Sequence, residues 1–243
     1  MFWYYAPLLT QGQTLLFLAA VIPPLILLIW IFRLDKIESE PKGLIVKLFF
    51  FGVLATIAAI IFEGIGEALI SSLLSGIVSR TVYNLVMYFI VVALVEEGVK
   101  RFALKAGSWK HPAFDYRFDA IVYSVFASLG FAAMENVMYV LGFGLSVVLA
   151  RALLSIPAHM SFSVVFGVFY GRARKYANRG QTVQSRMSIL TGFLLAVFFH
   201  GFYDSCAMIG STLSMILFAL FMIVIYATVF FVVKSESRTD SPV

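Results

Sequence analysis

The chain is predicted to be all-α, a polytopic transmembrane helical bundle of about seven spans. Three observations predict it. Of its 243 residues, 61% are apolar and 13% are charged, about half the charged share of a soluble domain. Apolar runs such as residues 15–32 and 213–233 approach the roughly 20 residues that a helix rising 1.5 Å per residue needs to cross about 30 Å of hydrocarbon. The runs are continuous. Strands of a membrane barrel, the other fold that pairs its backbone polar groups in lipid, would alternate apolar and polar.

Taken in order, the first span is placed at residues 13–32. Residues 1–12 lack a basic n-region, and the apolar run exceeds a signal peptide's h-region, so it reads as a retained span. The remaining spans fall at residues 44–62, 81–104, 118–142, 147–171, 187–209 and 211–233. Residues 67–79 are shorter and mixed in polarity, and read as an interfacial or re-entrant piece. No internal repeat is visible and the polar ends read as short tails. Residues 1–243 are therefore expected to form a single integral-membrane domain. The one cysteine, Cys206, excludes an intrachain disulfide.

Lys and Arg number 18 against 13 acids, for a net charge of +5. A basic balance can mark a nucleic-acid binder, but the placement of these charges says otherwise. Arg33, Lys36, Lys42 and Lys47 fall in one loop region, and Lys100, Arg101, Lys105, Lys110 and Arg117 in another. Arg172, Arg174, Lys175, Arg179 and Arg186 fill a third, and Lys234 and Arg238 the tail. With seven spans all of these share one compartment, leaving only Arg80 and Arg151 opposite. Positive loops face the cytoplasm, so the N-terminus is expected outside and the C-terminus inside. The partner implied is a lipid bilayer, not nucleic acid.

Ionisable residues inside spans are costly, at about 2.5–3.5 kcal/mol for a mid-bilayer charge, and usually functional. The third span carries Glu96, Glu97, Lys100 and Arg101, spaced so that Glu96–Lys100 and Glu97–Arg101 can pair at i, i+4. Such pairs fit either an interfacial charge girdle or a general base held by a cation. The fourth span buries Glu135 and Asn136, with Tyr139 on the face of Glu135. Asn136 alone fits an interhelical hydrogen bond. The fifth bears His159 after Pro157, where proline bends a helix. The sixth bears His200 and Asp204 at i, i+4, as a ligand with its orienting carboxylate would. Glu63 is read as interfacial. Counting 1.5 Å per residue from the basic loops puts His159, His200 and Glu135 at about 20–24 Å. Glu97 joins that level if its helix runs past Lys100, and the group is expected to be reached from the cytoplasmic half.

Two histidines and a carboxylate from separate helices match the ligands of a catalytic zinc site, with a further carboxylate to take the proton of the attacking water. No nucleophile elbow, P-loop, dinucleotide fingerprint or His-Glu-x-x-His motif is present. The alternative is an ion- or proton-coupled transporter using buried Glu and His, though the paired repeats and interrupted helices of such proteins are not found.

Glu96-Glu97-x-x-Lys100, Phe131-x-x-x-Glu135-Asn136-x-x-Tyr139, the later His159 and His200-x-x-x-Asp204 resemble the four motifs of the PrsW family. Asp35-x-x-Glu38-x-Glu40-Pro41 and Phe118-Asp119-Ala-Ile-Val-Tyr123 also resemble it, so the likeness runs from about residue 30 to 206. These are intramembrane proteases that make the first cut in anti-sigma factors, related to the CAAX prenyl proteases and the Abi proteins. The resemblance implies a multi-pass protease of a bacterial cell membrane acting on a membrane-anchored, anti-sigma-like protein. It implies Glu96 and Glu97 as catalytic carboxylates and His200 as the essential histidine. Glu135, His159 and His200 are the expected metal ligands, with Glu97 activating the water. Lys100, Asn136, Tyr139 and Asp204 support them. The relatives carry a histidine where this chain has Glu135, and metal-bound and glutamate-activated water both remain open.

Overall fold

The computed structural model describes residues 11–243; residues 1–10, and with them the expected outward N-terminus, lie outside it. The helices are α1 (Gln11–Phe32), α2 (Lys42–Leu74), α3 (Arg80–Ser108), α4 (Arg117–Phe143), α5 (residues 148–178), α6 (Thr182–Ile209) and α7 (Thr212–Arg238). Six helical stretches are long and apolar enough to cross a membrane, and one of them, Arg117–Asn178, is 62 residues long. That length is about twice what a bilayer needs. The stretch folds back at Gly144, whose φ of +73° only glycine adopts freely, and α4 and α5 run antiparallel. Seven passes result.

Apolar side chains remain uncovered on the outer helices, among them Ile26, Leu54, Leu73 and Ile223. Lipid is the solvent that accepts such a belt. α4 forms the core, buried almost continuously from Phe118 to Ala133 and packed against α1, α2 and α5. Without a hydrophobic drive between helices in lipid, close approach and hydrogen bonds hold them. A Cβ at Gly52 would stand 1.9 Å from the Ala127 carbonyl oxygen, and one at Gly130 would stand 2.0 Å from that of Phe49. α2 and α4 therefore cross backbone to backbone. Between α4 and α5, Ser124 Oγ donates to Ser163 O at 2.8 Å and Ser128 Oγ to His159 O at 3.0 Å.

Two helices carry π turns, which are common at functional sites. One, Met87–Ala93, precedes Glu96 and Glu97 in α3. The other, Arg151–Ser155, precedes Pro157 and His159 in α5. Proline has no N–H to offer the carbonyl four residues back. Tyr226 Oη of α7 stands there instead, its one proton shared between Leu153 O at 3.1 Å and Leu154 O at 2.8 Å.

Two expectations are corrected. The start of the expected re-entrant piece, residues 67–74, continues α2, a helix of 33 residues. A straight helix longer than the hydrocarbon is thick can tilt or project beyond it, and a 20-residue ruler misses that. The third span also runs on to Ser108, beyond the expected end at residue 104, so the helix passes Lys100 as the level of Glu97 requires.

Candidate active site

Five ionisable side chains meet where α3, α5 and α6 pack, each no more than 6% exposed: Glu96, Glu97, Lys100, His159 and His200. Lys100 Nζ donates to Glu96 Oε2 and to Glu97 Oε1, both at 2.9 Å. The expected Glu97–Arg101 pair is not made, because Lys100 reaches both acids and Arg101 instead lies over the Phe193 ring. His200 Nδ1 stands 2.9 Å from Glu97 Oε1. A carboxylate only accepts, so Nδ1 carries the proton, and Nε2 also faces carboxylates, offering a lone pair only when a cation sits between them. Nε2 lies 3.3 Å from Asp204 Oδ2 and 3.9 Å from Glu96 Oε2.

His159 repeats the pattern in the other sense. Its Nε2 stands 2.9 Å from Glu135 Oε2 and so donates, while Nδ1 faces Lys100 Nζ at 3.0 Å and accepts. Each histidine thus has one nitrogen held by a carboxylate, while the other meets the Lys100 ammonium in His159 and the Asp204 and Glu96 carboxylates in His200. Carboxylates play this part behind metal-binding imidazoles. Ligand atoms of Glu96, His159 and His200 all lie within 4.8 Å of one another. The structure therefore groups Glu96, rather than Glu135, with the two histidines.

Glu135 is held a second time, by Arg151 Nη2 at 3.1 Å. Arg151 Nε donates to Asn136 Oδ1 at 2.8 Å, Asn136 Nδ2 donates to Ala20 O at 2.7 Å, and the guanidinium lies 3.9 Å over the centre of the Tyr139 ring. Asn136 is thus the expected interhelical link. Arg151, counted from the sequence as a charge beyond the membrane, instead points into the site. Its helix begins at Val148 and the π turn directs it inward.

A cavity of about 400 Å³ opens beside this cluster, with Glu63, Glu96, Glu135, His159, His200 and Asp204 in its wall. Glu97 is not among the lining residues. Neighbours on a helix point about 100° apart, so one member of the doublet faces the cavity and the other backs His200. Glu63 was read as interfacial, yet it lines the cavity with Oε1 buried and without a hydrogen-bond partner. The wall also includes Tyr88, Met138, Ala150 and Met208, close to the turns at Gly76, Gly144 and Gly210. The cavity therefore faces the end of the bundle opposite the basic loops.

The family model described as PrsW family intramembrane metalloprotease matches residues 40–233. The chain belongs to this family. Proteins named Protease PrsW are similar to it along most of their length. That of Geobacillus kaustophilus is 36% identical over 186 residues, 76% of each chain. That of Clostridioides difficile is 33% identical over 215 residues, 87% of each chain. The Bacillus subtilis protein is 29% identical over 194 residues, 76% of this chain and 79% of its own. No solved structure matches. This PrsW-family chain is therefore a peptidase and a multi-pass bacterial membrane protein, not a transporter. In residue type the donor set fits the family's description, since two imidazoles and one carboxylate are usual protein ligands of a catalytic zinc; an ion there would displace the Lys100 ammonium from His159 Nδ1 and Glu96 Oε2.

Proposed function

We propose that this protease hydrolyses a peptide bond in a single-pass membrane protein of the anti-sigma-factor kind, with Glu96, His159 and His200 holding a zinc ion. One observation carries the reading: ligand atoms of these three residues converge within 4.8 Å beside a cavity that they line. When bound, the ion would lower the pKa of its water and polarise the scissile carbonyl. Glu97 and Glu135 hold the proton on the far nitrogen of each histidine and so fix both rings. Lys100 balances the Glu96–Glu97 doublet, whose two charges on one buried turn would otherwise repel. Glu63 Oε1 and Asp204 Oδ2, buried and accepting no hydrogen bond, can take the proton of the attacking water and pass it to the leaving amine. By the loop charges, the cavity lies in the outer half of the cell membrane, so the cut falls in or just outside that half.

A second reading rests on Lys100, whose ammonium contacts both Glu96 and His159 Nδ1. If that cation remains there during turnover, no metal is needed and Glu96 itself takes the proton of the water.

The test is cleavage of a single-pass substrate by the purified full-length protein, with metal content measured alongside. Zinc near one per chain, loss of cleavage on chelation and recovery with zinc are expected. Glu96→Gln and His200→Ala should each abolish cleavage while the protein keeps its melting behaviour. Full activity in metal-free protein would overturn the zinc reading, and full activity in Glu96→Gln would overturn the site.

A further inference from the structure

A second group of carboxylates lies at the other end of the bundle, where the basic loops gather. Asp35 and Glu40 come from the α1–α2 loop and Asp119 from the first turn of α4. Each offers an oxygen within 4.8 Å of the other two. Glu40 is 2% exposed and Asp119 is not exposed at all. In both, one oxygen is used by the protein: Tyr123 Oη donates to Glu40 Oε2, and the Asp115 and Tyr116 amides donate to Asp119 Oδ2 at 3.0 and 2.7 Å. The other oxygens, Glu40 Oε1 and Asp119 Oδ1, are buried and accept from no N–H or hydroxyl donor of the protein, as is Asp35 Oδ2, and the Glu40 and Asp119 carboxyls lie within hydrogen-bond reach of each other, able to share one proton or one cation. Among the described residues no Lys or Arg forms an ion pair with any of the three. A fourth acid, Asp240 of the C-terminal tail, caps the Phe118 amide at 2.9 Å.

Buried carboxylates with bare oxygens need protons or a cation. Left to themselves these acids favour protons: burial, then the neighbouring negative charge, pushes Asp35 up to about 7. Burial pushes Glu40 up to about 9. Three hard oxygen donors and no imidazole or thiolate select Ca²⁺ or Mg²⁺ over zinc. Three carboxylates drawn from two separate segments suit Ca²⁺, which takes about six to eight oxygens in a flexible shell, better than Mg²⁺, which keeps several waters and is usually held by one or two carboxylates.

We propose that Asp35, Glu40 and Asp119 form a binding site for a hard divalent cation of Ca²⁺ size, separate from the intramembrane histidine site. The ion ties the α1–α2 loop to the start of α4. The same end of α4 is bound to the C-terminal segment through Arg117–Glu236 at 2.7 Å and Val243 N to Asp115 O at 2.9 Å, so the ion joins the loop to a helix end that already holds that segment.

The test is a Tb³⁺ titration of the detergent-purified full-length protein, with emission excited through tyrosine, since Tyr123 touches Glu40. Wild type should give a saturable signal that Ca²⁺ displaces more readily than Mg²⁺, and Ca²⁺ should raise the melting temperature by several degrees. His200→Ala should keep the signal, which separates this site from the zinc reading. Glu40→Gln and Asp119→Asn should lose both the signal and the Ca²⁺ response, whereas Glu67→Gln, an exposed acid at the other end, should keep them. Asp35→Asn, half-buried and outside the Tyr123 and amide contacts, covers the case in which those variants fail to fold, and should weaken Tb³⁺ at least tenfold. Equal Tb³⁺ affinity and Ca²⁺ response in wild type and Asp35→Asn, or no Ca²⁺ response in wild type, would overturn the proposal.

Discussion

Arg151, at the start of α5, reaches across to Glu135 on α4 and holds its Nη2 3.1 Å from Oε2. The same carboxylate holds His159, so the arginine steadies a histidine that it does not touch. Removing one partner of a buried pair leaves the other charge uncompensated, at about 3 kcal/mol. Arg151→Ala is therefore expected to lower stability by about that amount and to cut cleavage at least tenfold. Denaturant unfolding in detergent checks the first and a cleavage assay the second. Adding Glu135→Gln should restore part of the stability but not the activity, since His159 then lacks its carboxylate.

Glu97 separates orienting from direct participation. Its carboxylate backs His200 Nδ1 and does not line the cavity. Groups that act from behind a metal ligand are typically worth about 10–100-fold. Glu97→Gln should lose activity in that range and bind zinc more weakly, whereas Glu96→Gln should show none. Cleavage rates at saturating and limiting zinc distinguish the two.

Glu63 projects from α2 into the cavity with one oxygen unpartnered. Glu63→Gln keeps the shape and removes the proton acceptor. The expected result is a fall of about 10²-fold in kcat, the scale of a positioned acid–base group, with unchanged zinc content. An unaltered kcat would remove Glu63 from the proton path.

The α2–α4 crossing can be tested without touching an ionisable group. Gly52→Val places methyl groups where the Ala127 carbonyl lies 1.9 Å from the first added carbon. Overpacking usually costs about 1–3 kcal/mol, and a clash with backbone belongs at or above the top of that range. A lowered melting temperature together with impaired cleavage is expected.

Much of this was legible in the sequence, and the exceptions share a physical cause. Span count followed from apolar runs and loop charge, and the depths of Glu97, Glu135, His159 and His200 followed from helical rise. Depth along an axis carries no direction around it. That is why the sequence reads Glu63 and Arg151 as interfacial or loop residues, and why it leaves open which of Glu96 and Glu97 faces the cavity. The end at which the cavity opens depends on where helices diverge, which no single span encodes. The π turns also escaped, since Met87–Ala93 is an ordinary apolar run. Only Pro157 signalled the second.

Tyr226 puts the outermost helix in mechanical series with the chemistry. α7 has no charged residue between Thr212 and Val233, and much of its surface faces lipid. Yet its phenol donates to the carbonyl edge at the bend just before His159, its proton shared between Leu153 O and Leu154 O. A sideways shift of α7 must either drag that bend along or leave the Leu153 carbonyl without its donor in hydrocarbon, at a cost of several kcal/mol. Strain imposed by the surrounding bilayer is thereby transmitted to the imidazole through a single hydroxyl, and Tyr226→Phe is the cut that would uncouple them.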